Sequence, residues 1–149
     1  MPYTLRFDGS GLKPFRMMLD RFGDNVSDMR PALDKMADAY AGEQAERFAA
    51  GNWAPLSLKY AAWKNAHYPG APILTRTGEL RDSMSTRPFG VEDISNHRLI
   101  AGTQVEYAQY HQNGMGNNPV RKIVDDMPGE LERRFADILH QHAFQGVST

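Results

Sequence analysis

The sequence contains no cysteine. Disulfide staples, thiolate nucleophiles and thiolate zinc sites are therefore excluded. A small secreted domain often relies on disulfides, so their lack predicts a reducing compartment. No apolar run approaches the ~20 residues of a membrane span, and Met1 to Arg6 shows no signal-peptide h-region. The expectation is a protein that is made and stays in the cytosol unless an assembly carries it elsewhere. A charge excess is missing too. The net charge of −1 is not that of a dedicated nucleic-acid binder.

What is present is ordinary globular material. The 149 residues are 41% hydrophobic and 23% charged, which suits one domain, 1–149, with a core of its own. Charge is unevenly placed. Residues 51–90 hold five basic and two acidic groups, a local +3, and residues 91–149 hold five and eight, a local −3. Opposite local charges suit association between copies, and a solvated mixed surface accounts for them as well.

Tyr3, Leu5 and Phe7 alternate with polar residues, which predicts a strand over 3–7. Leu12, Phe15, Met18, Leu19 and Phe22 predict a helix stopping near Gly23. Met29, Leu33, Met36, Ala37, Tyr40, Gln44 and Phe48 form the stripe of a longer helix, started near Ser27 or Asp28 and ended by Gly51. Core packing explains this Met and aromatic stripe without a cofactor. Residues 51–76 then lose regular pattern while concentrating Trp53, Tyr60, Trp63 and Tyr68. They read as an extended arm containing a short helix capped by Ser57. Thr77 caps another helix through Met84, with Gly78 serving an abrupt turn. Ser85–Phe89, Val91–Ile94 and Arg98–Ile100 predict an antiparallel meander, with a turn at Asn96. Glu106–Gln112 predicts a helix, 113–119 a flexible loop and Val120–Val124 a strand. Asp125 or Asp126 caps a last helix, Pro128 to about Phe144, carrying Leu131, Phe135, Ile138, Leu139 and His142 on one face. The fold class is α+β, helices packed on a small antiparallel sheet.

Residues capable of chemistry do not combine. Among His67, His97, His111, His140 and His142, the last two lie two apart on a helix and point to different sides. No H-E-x-x-H occurs. Ser57, Ser83, Ser85 and Ser95 lack a nucleophile-elbow setting. Glu92-Asp93 on a strand point to opposite faces, and Asp125-Asp126 read as cap and turn. Gly114-Met115-Gly116 lacks the pattern of a phosphate loop. No catalytic, cofactor or metal site is expected. Lys59, Lys64, Arg76, Arg81 and Arg87, interleaved with aromatics, have two readings. They are the anchor types of a protein interface, and they suit a nucleic-acid-binding module over 59–87.

Trp53-Ala54-Pro55-Leu56-Ser57, with Tyr60 and Lys64, precedes Ile73-Leu74-Thr75-Arg76-Thr77-Gly78-Glu79-Leu80-Arg81-Asp82-Ser83. Farther on come Gly102-Thr103, Tyr107-Ala108, His111 and Gly114. These motifs, over about residues 50–115, resemble the phage virion morphogenesis family, or tail completion proteins of long-tailed phages. Leu58 stands where a proline commonly follows the serine. The resemblance implies a structural protein of the head–tail junction or tail end, related to proteins that form rings through which DNA passes. Its partners would be copies of itself and other phage neck or tail proteins. On this reading Trp53, Pro55, Leu56, Tyr60, Trp63, Lys64, Arg76 and Arg81 dock on a neighbour from a loosely held arm. Thr77 and Gly78 shape the turn behind it.

Overall fold

Apolar spacing at the helical period carries most of the architecture of a computed structural model, which describes residues 12–147; the expected strand 3–7 lies outside them. Helix α1, Leu12–Ser27, does not stop at Gly23 but runs through it. An interior glycine costs about 1 kcal/mol relative to alanine, a cost the helix absorbs here. Helix α2, Arg30–Ala50, begins with a proline in its first positions and ends at Gly51, φ +61°. The Asp28 carboxylate accepts a bond from the Arg30 amide at 3.1 Å. Leu33, Ala37, Gln44 and Phe48 of the expected stripe are buried.

Helix α3, Leu58–His67, is capped as the sequence predicts: Ser57 Oγ accepts from the Tyr60 amide at 3.3 Å. Helix α4, Glu79–Ser85, buries Leu80 and Met84 completely. Strands β1, Val91–Ser95, and β2, Arg98–Gly102, pair antiparallel from Val91↔Gly102 to Ser95↔Arg98. Glu92, Ile94, Leu99 and Ala101 turn inward while Val91, Asp93, Ser95 and Ile100 face out, the period of two. Helix α5, Ala108–Asn113, and helix α6, Gly129–Ala143, complete the described elements. The fold is α+β and mostly helical. Helix α2 is its centre, packed by α4, α6 and both strands. The main core joins Phe48, Leu80, Met84, Ala108 and Ile123, flanked by Tyr40, Trp53, Leu74 and Val105.

Two expected strands do not form, for identifiable reasons. In Ser85–Phe89, Arg87 turns to Asp34, Asp38 and Glu92, each at 2.7 Å, and the Phe89 amide donates to the Glu92 carboxylate at 3.1 Å. In Val120–Val124 the backbone finds partners without a neighbouring strand. Gln112 Oε1 accepts from the Ile123 and Val124 amides at 2.7 and 2.9 Å, and the Arg121 amide donates to the His111 carbonyl at 2.7 Å. The meander is thus a two-stranded hairpin.

Two caps are also corrected. Asp125 pairs with Arg47 and Lys122 and does not cap α6, whose cap position is Pro128. The cap position of α4 is Gly78, φ +89°, with Thr77 Oγ1 a long 3.5 Å from the Glu79 amide. In the 113–119 loop the Met115 amide bonds the Tyr110 carbonyl at 3.0 Å, and the Asn118 amide bonds the Met115 carbonyl at 3.3 Å.

Candidate functional site

The segment 51–57 does not stand away from the body. The Trp53 ring packs on Phe48, centroids 5.6 Å apart, and the Arg47 guanidinium lies over the Trp53 ring, 5.8 Å from its centroid. Its indole Nε1 is buried without a hydrogen-bond partner among the described residues. Farther along, the Arg121 guanidinium donates to the carbonyls of Ala54 at 2.7 Å and Pro55 at 2.9 Å. Lys64 Nζ donates to the Pro72 carbonyl, closing the second half of the segment on α3. The expectation of a loosely held arm is corrected by these ties. Two backbone-binding cations hold 54–72 against the body.

Those same cations line a cavity of about 220 Å³ between α3, the 74–76 turn, α5 and Arg121. Lys64, Arg76, His111 and Arg121 supply its polar wall; Leu56, Leu74, Tyr60 and Tyr107 supply the rest, and among the described residues no carboxylate lines it. A second cavity of about 350 Å³ shares Leu56, Tyr60, Tyr107, His111 and Arg121 and extends toward Asn117 and Asn118. Lys64 and Arg121 are 5% and 4% exposed, yet neither forms an ion pair among the described residues. Burial pushes the Lys64 ammonium below its ordinary value, and the charges of Arg121 and Arg76 push it the same way. Burial likewise lowers the Arg121 guanidinium. His111 is lowered by burial and then by Arg121, and its Nδ1 is buried without a partner among the described residues. Buried charges are ordinarily paired. Here positive charge gathers in a partly dehydrated, apolar-walled recess with only backbone carbonyls to answer it.

The recess also holds a backbone outlier. Leu74 adopts φ +62°, the left-handed region that branched and bulky residues rarely visit, at a cost of about 1–3 kcal/mol. Its side chain packs on the core and lines the cavity. Such a conformation persists where its surroundings enforce it, and it fixes the turn that presents Arg76.

The phage virion morphogenesis family matches the chain over residues 11–136. The chain belongs to this family. No curated protein and no solved structure matches it. Membership points to a structural rather than a catalytic role, in a protein associated with the virion. Among the described residues no helix is long and apolar enough to cross a membrane.

Of the residues that the sequence singles out in this virion morphogenesis protein, Leu56, Tyr60, Lys64 and Arg76 meet at one recess. Pro55 contributes a carbonyl to Arg121. Trp63 lies on the outer side of α3, 41% exposed and stacked between Tyr60 and His67 at 5.5 and 4.6 Å. Trp53 is on a different face, lining a separate cavity with Arg47 and Asp125. Arg81 is outside the recess and paired with Asp82 at 2.7 Å. Sequence reasoning passed over Arg121, His111, Tyr107 and Leu74. Arg121 was hidden in a stretch read as strand. His111 and Tyr107 stood in view in the Tyr107-Ala108…His111 motif, whose i, i+4 spacing on one helical face was the available signal.

Proposed function

We propose that this chain completes the phage tail or joins tail to head, associating with itself in a ring and docking on neighbouring virion proteins. The observation that carries the proposal is family membership over 11–136. Surface character supports it. Leu12, Phe15, Met17 and Leu19 of α1 are each more than half exposed, and Tyr60, Trp63 and Tyr110 add exposed aromatic surface. Exposed apolar groups gathered on one element suit a partner surface. Tyr60, Trp63 and Arg76 are of the types that anchor interfaces.

The nucleic-acid reading loses part of its footing. Arg81 is paired with Asp82, and Arg87 with Asp34, Asp38 and Glu92, so two of the five cations over 59–87 are already neutralised. DNA is then at most a passenger through the assembly. Sedimentation velocity over a hundredfold concentration range, followed by electron microscopy of the largest species, tests the proposal. Closed rings of one stoichiometry are expected. A monomer that stays monomeric and binds duplex DNA with steep salt dependence would refute it.

A further inference from the structure

We propose that the Lys64–Arg76–Arg121 recess is the acceptor for a carboxylate side chain of a second copy, presented by residues 124–132. The inference rests on the self-association reading and gives it a surface.

The recess asks for an anion. Lys64 and Arg121 are nearly inaccessible, and among the described residues their charges are answered only by carbonyls of Pro72, Ala54 and Pro55. Arg76 at the rim is exposed and free of carboxylates among the described residues, with its guanidinium 5.9 Å over Tyr68. His111 lines the same recess, and its buried Nδ1 has no partner among the described residues. A volume of about 220 Å³ is that of a side chain, not of a nucleic-acid strand. The walls of Leu56, Leu74 and two tyrosines suit an acid carried beside apolar atoms. A duplex backbone instead requires a row of exposed cations along a face.

The chain carries a matching donor. Residues 124–132 hold four carboxylates, Asp125, Asp126, Glu130 and Glu132, and no basic residue. Asp125 is engaged by Arg47 and Lys122. Asp126 and Glu130 are exposed and make no ion pair among the described residues, and they sit beside Val124 and Met127, 51% and 47% exposed. Acid beside apolar surface faces cation beside apolar surface. Donor and acceptor are different patches: none of the four carboxylates of 124–132 lines the recess, and Glu130 and Glu132 stand on α6, which packs on α2 and α1. An interface between two different patches is head-to-tail, and it closes into a ring when its rotation allows.

The test uses the full chain in three forms. Arg76→Glu removes the acceptor and keeps the donor; Asp126→Lys with Glu130→Lys removes the donor and keeps the acceptor. All three positions are exposed, and circular dichroism confirms folding. By sedimentation, wild type should self-associate, and each variant alone should weaken association tenfold or more. The two variants mixed should form a one-to-one dimer that grows no further, because only one competent interface remains. Self-association of Arg76→Glu equal to wild type, or a mixture that stays monomeric, overturns the inference and leaves the assembly reading standing. Should wild type itself remain monomeric, the assembly reading fails and a second arm judges the recess. A synthetic peptide of residues 123–133 is titrated into wild type and into Arg76→Glu by calorimetry. Binding to wild type alone supports the acceptor. No binding overturns it, as does a recess that retains a 20-base-pair duplex in an Arg76-dependent way and ignores the peptide.

Discussion

Replacing Lys64 by methionine should leave the isolated subunit as stable as before or more so. An ammonium held out of water costs several kcal/mol after relaxation. The charged bond to the Pro72 carbonyl returns about 1.5–3 kcal/mol, and the neighbouring charges of Arg121 and Arg76 oppose it. Methionine keeps an unbranched stem of similar volume, so little cavity is created. Pro72 is exposed, so water can satisfy its released carbonyl. The balance favours Lys64→Met by about 1 kcal/mol, roughly 3 °C in melting temperature for a chain of this length. Urea unfolding at pH 7 measures it, with the slope unchanged. A pH series adds a signature. The folded-state pKa of Lys64 lies below the ordinary 10.5, so the unfolded chain holds that proton more tightly. The handicap of the wild type is therefore full at neutral pH and disappears as pH rises to about 10.5. The gap between Lys64→Met and wild type should narrow over that range. A loss of 2 kcal/mol or more in Lys64→Met, or a gap that widens with pH, would show that the ammonium stabilises the subunit.

Trp53→Ala should destabilise the dilute monomer by about 2–3 kcal/mol, somewhat less than a fully buried tryptophan, because the ring is only partly covered; unchanged thermal unfolding would contradict its packing on Phe48. Trp53→Phe should cost under about 1 kcal/mol by the same assay, since it also removes an unpartnered buried N–H. Gly78→Ala should cost about 1–2 kcal/mol in urea, from a residue forced to φ +89° and a Cβ meeting the Arg81 guanidinium at 3.0 Å. Glu92 is held below the usual carboxylate value, chiefly by Arg87, so its stabilisation is whole above about pH 4.5 and lost as pH falls below that. Glu92→Gln should flatten the decline of the urea midpoint between pH 5 and pH 3, and an identical decline in both proteins would remove Glu92 from the account.

Helices were legible from their apolar stripes, whereas a glycine marked the end of α2 and failed to mark that of α1, which runs through Gly23. The α2 pattern ended at a glycine that is left-handed in the structure, and Ser57 capped α3 as its position foretold. Strands were less legible because a short run of Val and Ile declares its β preference but not its partner. Val120–Val124 has that composition, yet the Gln112 side chain and the His111 carbonyl satisfy its amides. Ser85–Phe89 is claimed by the Arg87 carboxylate cluster, whose members Asp34 and Asp38 lie some fifty residues away in sequence. The recess was half legible. Tyr60, Lys64 and Arg76 drew notice as basic and aromatic residues in an irregular segment. Their common focus did not, since it is completed by Arg121, and no local pattern reports that a distant arginine binds the carbonyls of 54 and 55.

The same arginine explains why the segment can be ordered and still serve an interface. An arm that becomes ordered only on docking loses affinity to its own conformational entropy, about 1–2 kcal/mol per residue fixed. Here Arg121 and Lys64 have already fixed the segment, at the expense of leaving two positive charges in a partly dehydrated recess. The free subunit is thereby rigid but electrostatically unsatisfied. A carboxylate arriving there gains from charges that are already desolvated and oriented, so little of its attraction is spent on reorganisation. A basic side chain in the same place is rejected by Lys64, Arg76 and Arg121 together. Such a recess discriminates between partners more than it stabilises the chain that carries it. For that reason Lys64→Met should separate the two properties: a subunit at least as stable, whose self-association nevertheless weakens. If both fell together, the lysine would be a structural tie and the recess would have no claim as a docking site.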